Sequence, residues 1–129
     1  MIPVEQRGDD DCFAACIASL LEAPIESVPN VGRCNPQRQL VLMQSWLRYR
    51  GLTYVEFDLR HQRPRTGAKL LGVLSAEVPG CDYLHAVVAE YRDGRSRVIH
   101  DPAGSCRLGK RVLFGWLTPI HAPAPRASR

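Results

Sequence analysis

Cys12 stands where a polar lead-in, Glu5 to Asp11, gives way to the apolar run Cys12 to Leu21. A cysteine at the start of a helix lies at the positive end of the helix dipole, which favours the thiolate, its nucleophilic form. The three carboxylates just before it, Asp9, Asp10 and Asp11, work in the opposite direction. A thiol nucleophile also needs a base within hydrogen-bond reach, and the base needs a group to orient it. Of the four histidines, His61 falls in an arginine-rich loop and His121 in a proline-rich tail, leaving His85 and His100. His85 opens the apolar stretch Ala86-Val87-Val88-Ala89. His100 closes the next β-like stretch and is followed by Asp101-Pro102.

Strand pairing selects between the two histidines. Taking Arg92-Asp93-Gly94 as a three-residue hairpin loop pairs Tyr91 with Arg95, Val88 with Val98 and Val87 with Ile99, a good apolar match. That register sets His85 directly opposite Asp101, with Cβ atoms about 5 Å apart on one face. A two-residue loop would throw them onto opposite faces. The expected unit is therefore His85 as base and Asp101 as its orienter, with His100 the rival base. Gln6 precedes Cys12 across a loop containing Gly8. Its side-chain amide, with the Cys12 backbone N–H, is the donor pair that a tetrahedral oxyanion requires.

The ordered set Gln6…Asp11-Cys12…His85-Ala86-Val87-Val88…Asp101-Pro102 resembles the papain-like cysteine peptidases. It is most similar to their small bacterial branch, the bacteriocin-leader (double-glycine) peptidases and the stand-alone proteins like them. The resemblance runs from Gln6 to about Leu117. It implies that Cys12 is the nucleophile, His85 the base, Asp101 its orienter and Gln6 the oxyanion donor. It further implies a papain-like α+β fold with the nucleophile on a central N-terminal helix packed on an antiparallel sheet. Leader peptidases usually carry glycine after the cysteine, where this chain has Phe13, and are usually joined to a membrane exporter. The implied activity is hydrolysis of a peptide or related amide bond through a covalent thioester. Alternatives are a deamidase or transglutaminase using the same residues, and a papain-like domain that binds peptides without catalysis.

The elements that must position these groups follow from patterning. Cys12 to Leu21 is apolar on nearly every face and free of Gly and Pro, which marks a helix buried within a core, with Asp11 as its N-cap. A short strand is expected at Ile2 to Val4 and a helical turn at Pro24 to Val28. Pro36 to Arg50 reads as a second helix, with proline in its first turn and Gly51 closing it. Strands are expected at Leu52 to Asp58, Lys69 to Leu74, Tyr83 to Tyr91, Arg95 to His100 and Val112 to Leu117, the last interrupted by Gly115. Helices followed by strands argue for α+β. Residues 1–118 are expected to form one domain and 119–129, rich in Pro and Ala, a disordered tail.

Composition excludes several classes. The chain has 129 residues, 45% of them hydrophobic and 23% charged, enough for one core. Its excess of 17 Lys+Arg over 13 Asp+Glu is spread over the surface and tail without a basic stripe, so nucleic acid is not an expected partner. No apolar run approaches a membrane span, and Met1 to Asp11 lacks a basic, apolar secretory leader, so a cytoplasmic protein is expected. Five cysteines at irregular spacing do not form a disulfide framework or a zinc-finger pattern, and most read as small buried hydrophobes. With no phosphate loop and no cofactor fingerprint, the expected partner is a peptide or protein substrate, with no cofactor and no metal.

Overall fold

The computed structural model describes residues 1–120. Helix α1 (Cys12–Leu21) forms from the apolar run, and Ala14 to Ser19 are all buried, as an all-round apolar helix requires. Glu22 ends it in the left-handed conformation, φ 55°. A 3-10 turn follows at Ile25–Ser27. Helix α2 (Pro36–Arg48) is capped by the Asn35 side chain, which accepts from the Arg38 N–H at 2.9 Å. It stops two residues short of the expected end, with Gly51 at φ 72° donating its N–H to the Arg48 carbonyl.

Five strands, β1 (Leu52–Asp58), β2 (Leu70–Glu77), β3 (Leu84–Arg92), β4 (Arg95–His100) and β5 (Arg111–Pro119), form one antiparallel sheet in the order β1-β5-β2-β3-β4. The protein is thus a mixed α+β structure. The two helices lie on one face, where Ile17, Met43 and Leu47 pack against Tyr54, Val73 and Val88. The other face carries a second apolar cluster of Phe57, Leu74, Val87, Tyr91 and Phe114. The 60–69 loop is tied to that side by the Tyr91 hydroxyl, which donates to the Pro64 carbonyl at 2.7 Å. Because β3 is covered on both faces, Ala86 to Ala89 are all buried.

Three expectations are corrected. Ile2 to Val4 is not a strand; it is an extended segment laced to α1, with the Ile2 and Val4 N–H groups donating to the Ser19 carbonyl and Oγ. The hairpin turn has two residues, not three. Asp93 (φ 51°) and Gly94 (φ 92°) are both left-handed, which builds the tight turn, and the Asp93 carboxylate holds the Thr66 and Gly67 N–H groups at 2.8 Å. Strand β5 runs on to Pro119, opposite Leu52, and the Ile120 N–H reaches the Gly51 carbonyl, so the start of the expected tail is ordered. Residues 121–129, including His121, lie outside the described residues. Among the described residues no helix is long and apolar enough to cross a membrane.

The two-residue turn pairs Tyr91 with Ser96 and Ala89 with Val98, which taken alone would separate His85 and Asp101. A bulge intervenes. Ile99 is an extra residue in β4, so that Val88 pairs with His100. The ladder ends at that pair, and Asp101 lies just beyond it with its Oδ1 2.7 Å from His85 Nε2. His100 moves to the helix side, where its Nε2 meets the Val4 carbonyl at 2.8 Å.

Gly115 allows the helix-side core to close over β5, because a Cβ there would stand 2.1 Å from the Tyr54 ring. Gly115→Ala should therefore destabilise the fold by about 3 kcal/mol through overpacking, read as a lower denaturant midpoint at unchanged slope.

Candidate active site

Cys12 is the first residue of α1, and the loop before it is held from behind. The Asp11 carboxylate is buried and does not cap the helix, contrary to expectation. It turns back to accept the Arg7 and Gly8 N–H groups at 3.0–3.1 Å, with the Arg7 guanidinium 3.5 Å away. Two consequences follow. The carboxylate closest in sequence to the thiol is tied up by its own loop. No side chain caps α1, so the Cys12 N–H at its first turn has no side-chain acceptor. Asp10 is likewise engaged, with Arg33 at 2.7 Å and Asn30 at 3.4 Å.

His85, near the start of β3, meets Asp101, just past the end of β4. Its Nε2 lies 2.7 Å from Asp101 Oδ1, and the side chains are 6% and 9% exposed. A carboxylate only accepts, so the ring donates from Nε2 and leaves Nδ1 for another partner. Asp101 is fixed in turn. Its Oδ1 accepts the Ala103 N–H at 2.9 Å and its Oδ2 the Cys106 N–H at 2.7 Å. Burial pushes its carboxyl up, but the hydrogen bonds from His85, Cys106 and Ala103 outweigh it and hold the group below its ordinary value.

The Cys12 thiol is the strongest influence on the imidazole. It raises His85, burial lowers it and Asp101 raises it again, leaving the ring pushed up to about 9. The Cys12 thiol is therefore near enough to the ring to outweigh its burial. Sulfur, imidazole and carboxylate come together from α1, β3 and the turn after β4.

No protein-family model, curated protein or solved structure matches this chain. Gln6 is brought close on both sides: its backbone N–H donates to the carbonyl of Pro102, next to Asp101, at 2.9 Å. Its side-chain Nε2 donates to the Gly8 carbonyl at 2.6 Å, and its Oε1 is buried without a partner. One Nε2–H stays uncommitted. His100, the rival base, is engaged with the N-terminal segment instead. Two surface hollows of about 290 and 470 Å³, lined around Arg95 on β4 and Val41 on α2, include none of these residues.

Sequence reading missed Cys106. Among the described residues all five cysteines are free thiols, and only Cys16 has the full burial expected of most of them. Cys106 is half-buried against Asp101, and burial, the nearby carboxylate and its hydrogen bond raise its thiol. The available signal was Gly104 in the turn Asp101 to Cys106, which at φ 98° folds the segment back on itself.

The raised His85 has a pH signature. A ring whose folded value exceeds its unfolded 6.5 stabilises the fold fully below pH 6.5, and that contribution fades as pH climbs through about 9. NMR titration should give His85 a midpoint near 9. Cys12→Ala and Asp101→Asn should each lower it by about one pH unit; an unchanged midpoint in both variants would remove these groups from the ring's surroundings. Asn is preferred to Ala because Asp101 holds three donors.

Proposed function

We propose that this chain is a thiol hydrolase of the papain-like kind, cleaving a peptide or related amide bond. The observation that carries the reading is the shared imidazole: Nε2 is committed to a buried carboxylate, and the Cys12 thiol is the largest influence on the same ring. That is the arrangement in which an oriented base serves a thiol.

In the proposed reaction the Cys12 sulfur attacks the amide carbonyl, forming a carbon–sulfur bond and an oxyanion. His85 holds the thiol proton and passes it to the departing amine as the carbon–nitrogen bond breaks. The resulting thioester is cleaved by water, activated by His85, which releases the acid and restores the thiol. Asp101 keeps the ring orientation and stabilises the imidazolium. The Cys12 N–H and the uncommitted Nε2–H of Gln6 are the donors for the oxyanion. The His85 and Asp101 side chains are 6% and 9% exposed, and Cys12 beside them is half-buried, so Cys12 is the most open of the three. The Asp10 and Asp11 carboxylates are engaged with partners of their own and Phe13 packs edge-on against Tyr54, which supports the same reading.

Iodoacetamide and a peptidyl epoxide, with adducts located by mass spectrometry, test this directly. Cys12 should label at least about tenfold faster than Cys34, Cys81 and Cys106, with a pH profile that changes in His85→Ala. Uniform slow labelling of all the accessible thiols would favour a non-catalytic peptide-binding domain. Cys12→Ser should remove turnover of a peptide library while leaving the melting temperature within a few degrees, since the change is close to isosteric.

A further inference from the structure

We infer that His85, Asp101 and Cys106 form a binding site for a zinc-class divalent cation. Their ligand atoms lie within 4.8 Å of one another. An imidazole nitrogen, a carboxylate oxygen and a thiolate make the donor set of tetrahedral zinc, and the sulfur selects against magnesium and calcium. Zinc bonds of about 2.0–2.3 Å put neighbouring ligands about 3.3–3.7 Å apart. The His85–Asp101 pair need only open from 2.7 Å, and Cys106, within 4.8 Å of both, need close by no more than about 1.5 Å.

The turn from Asp101 to Cys106 supports the site a second time. Gly104 donates its N–H to the Asp101 carbonyl at 2.9 Å, and the Ala103 and Cys106 amides fix the carboxylate before any ion arrives. Outer hydrogen bonds of this kind orient ligands in metal sites. Cys106 is half-buried and Ala103 to Ser105 are exposed, so the ion has a path from solvent. Three protein ligands leave a fourth position for water.

Cation and catalysis exclude each other. Nε2 has one bonding direction, and an ion placed there displaces the hydrogen bond to Asp101. Zinc is then a reversible inhibitor of the proposed chemistry. This consequence rests on the thiol-hydrolase reading, whereas the binding does not.

The test is calorimetric titration of the full chain with Zn²⁺ alone, beside Co²⁺ absorption spectra. Wild type should bind one ion with a sulfur-to-cobalt charge-transfer band. Cys106→Ser should weaken binding by about tenfold or more and remove the band, and Cys12→Ala should keep both. No binding by wild type, affinity unchanged in Cys106→Ser, or binding lost equally in Cys12→Ala would each overturn the site. If Cys106→Ser fails to fold, alkylation of wild type decides: Zn²⁺ should protect Cys106 while Cys81 stays reactive, and an unprotected Cys106 refutes the assignment. A chain that binds zinc this way while Cys12 is unreactive would keep the cation site and lose the hydrolase reading.

Discussion

The hydrogen bond between His85 and Asp101 is the constraint around which this end of the molecule is organised. Two ionisable side chains this well buried are costly unless each polar atom is satisfied. The fold meets that requirement locally: Asp101 takes one donor from the ring and two from the backbone of its own turn. The ring is then held by one nitrogen, and the thiol of the first residue of a buried helix is the strongest influence on it. His85 is placed by the pairing of β3 with β2, and Asp101 follows a strand whose register shifts at Ile99 just before it ends.

The same economy of local hydrogen bonds governs the approach to Cys12. A carboxylate at the capping position of a helix ordinarily serves the helix. Asp11 serves the preceding loop instead, which holds Arg7 and Gly8 in place and draws Gln6 against Pro102. The N-terminal segment continues this lacing along α1 through Ser19 and ends with the terminal ammonium 3.0 Å from Glu22. The segment before the helix is thus fixed at its two ends to α1 and to the turn after β4, the elements that carry Cys12 and Asp101. Stability and positioning are served by the same bonds.

Several features were legible from residue types because they depend on local chemistry. An apolar run without Gly or Pro must be helical and buried, and Cys12 to Leu21 is both. Helices before strands led to α+β, and of the five strands two have the expected ends while three are off by one to three residues. The pairing of His85 with Asp101 was also expected, though by a route the structure does not follow. The expected three-residue loop gave way to a two-residue turn with a bulge at Ile99, and the contact forms beyond the last β3–β4 pair. Apolar matching could not settle this. Val87 and Val88 are both fully buried, one on each face of the sheet, so neither register is penalised by exposure.

What the chain determines by itself is a set of elements and a short list of reactive side chains, because helix and strand preferences and the chemistry of thiol, imidazole and carboxylate are properties of neighbouring residues. What only the tertiary structure decided is which reactive groups share a space. Asp11 had to choose between helix and loop, His100 had to be turned toward Val4, and Cys106 had to be folded back on Asp101. Each outcome depends on hydrogen-bond partners far along the chain or on a single extra residue in a strand. Patterns of local propensity carry no information about such distant pairings, since they are fixed by satisfying buried polar groups in three dimensions.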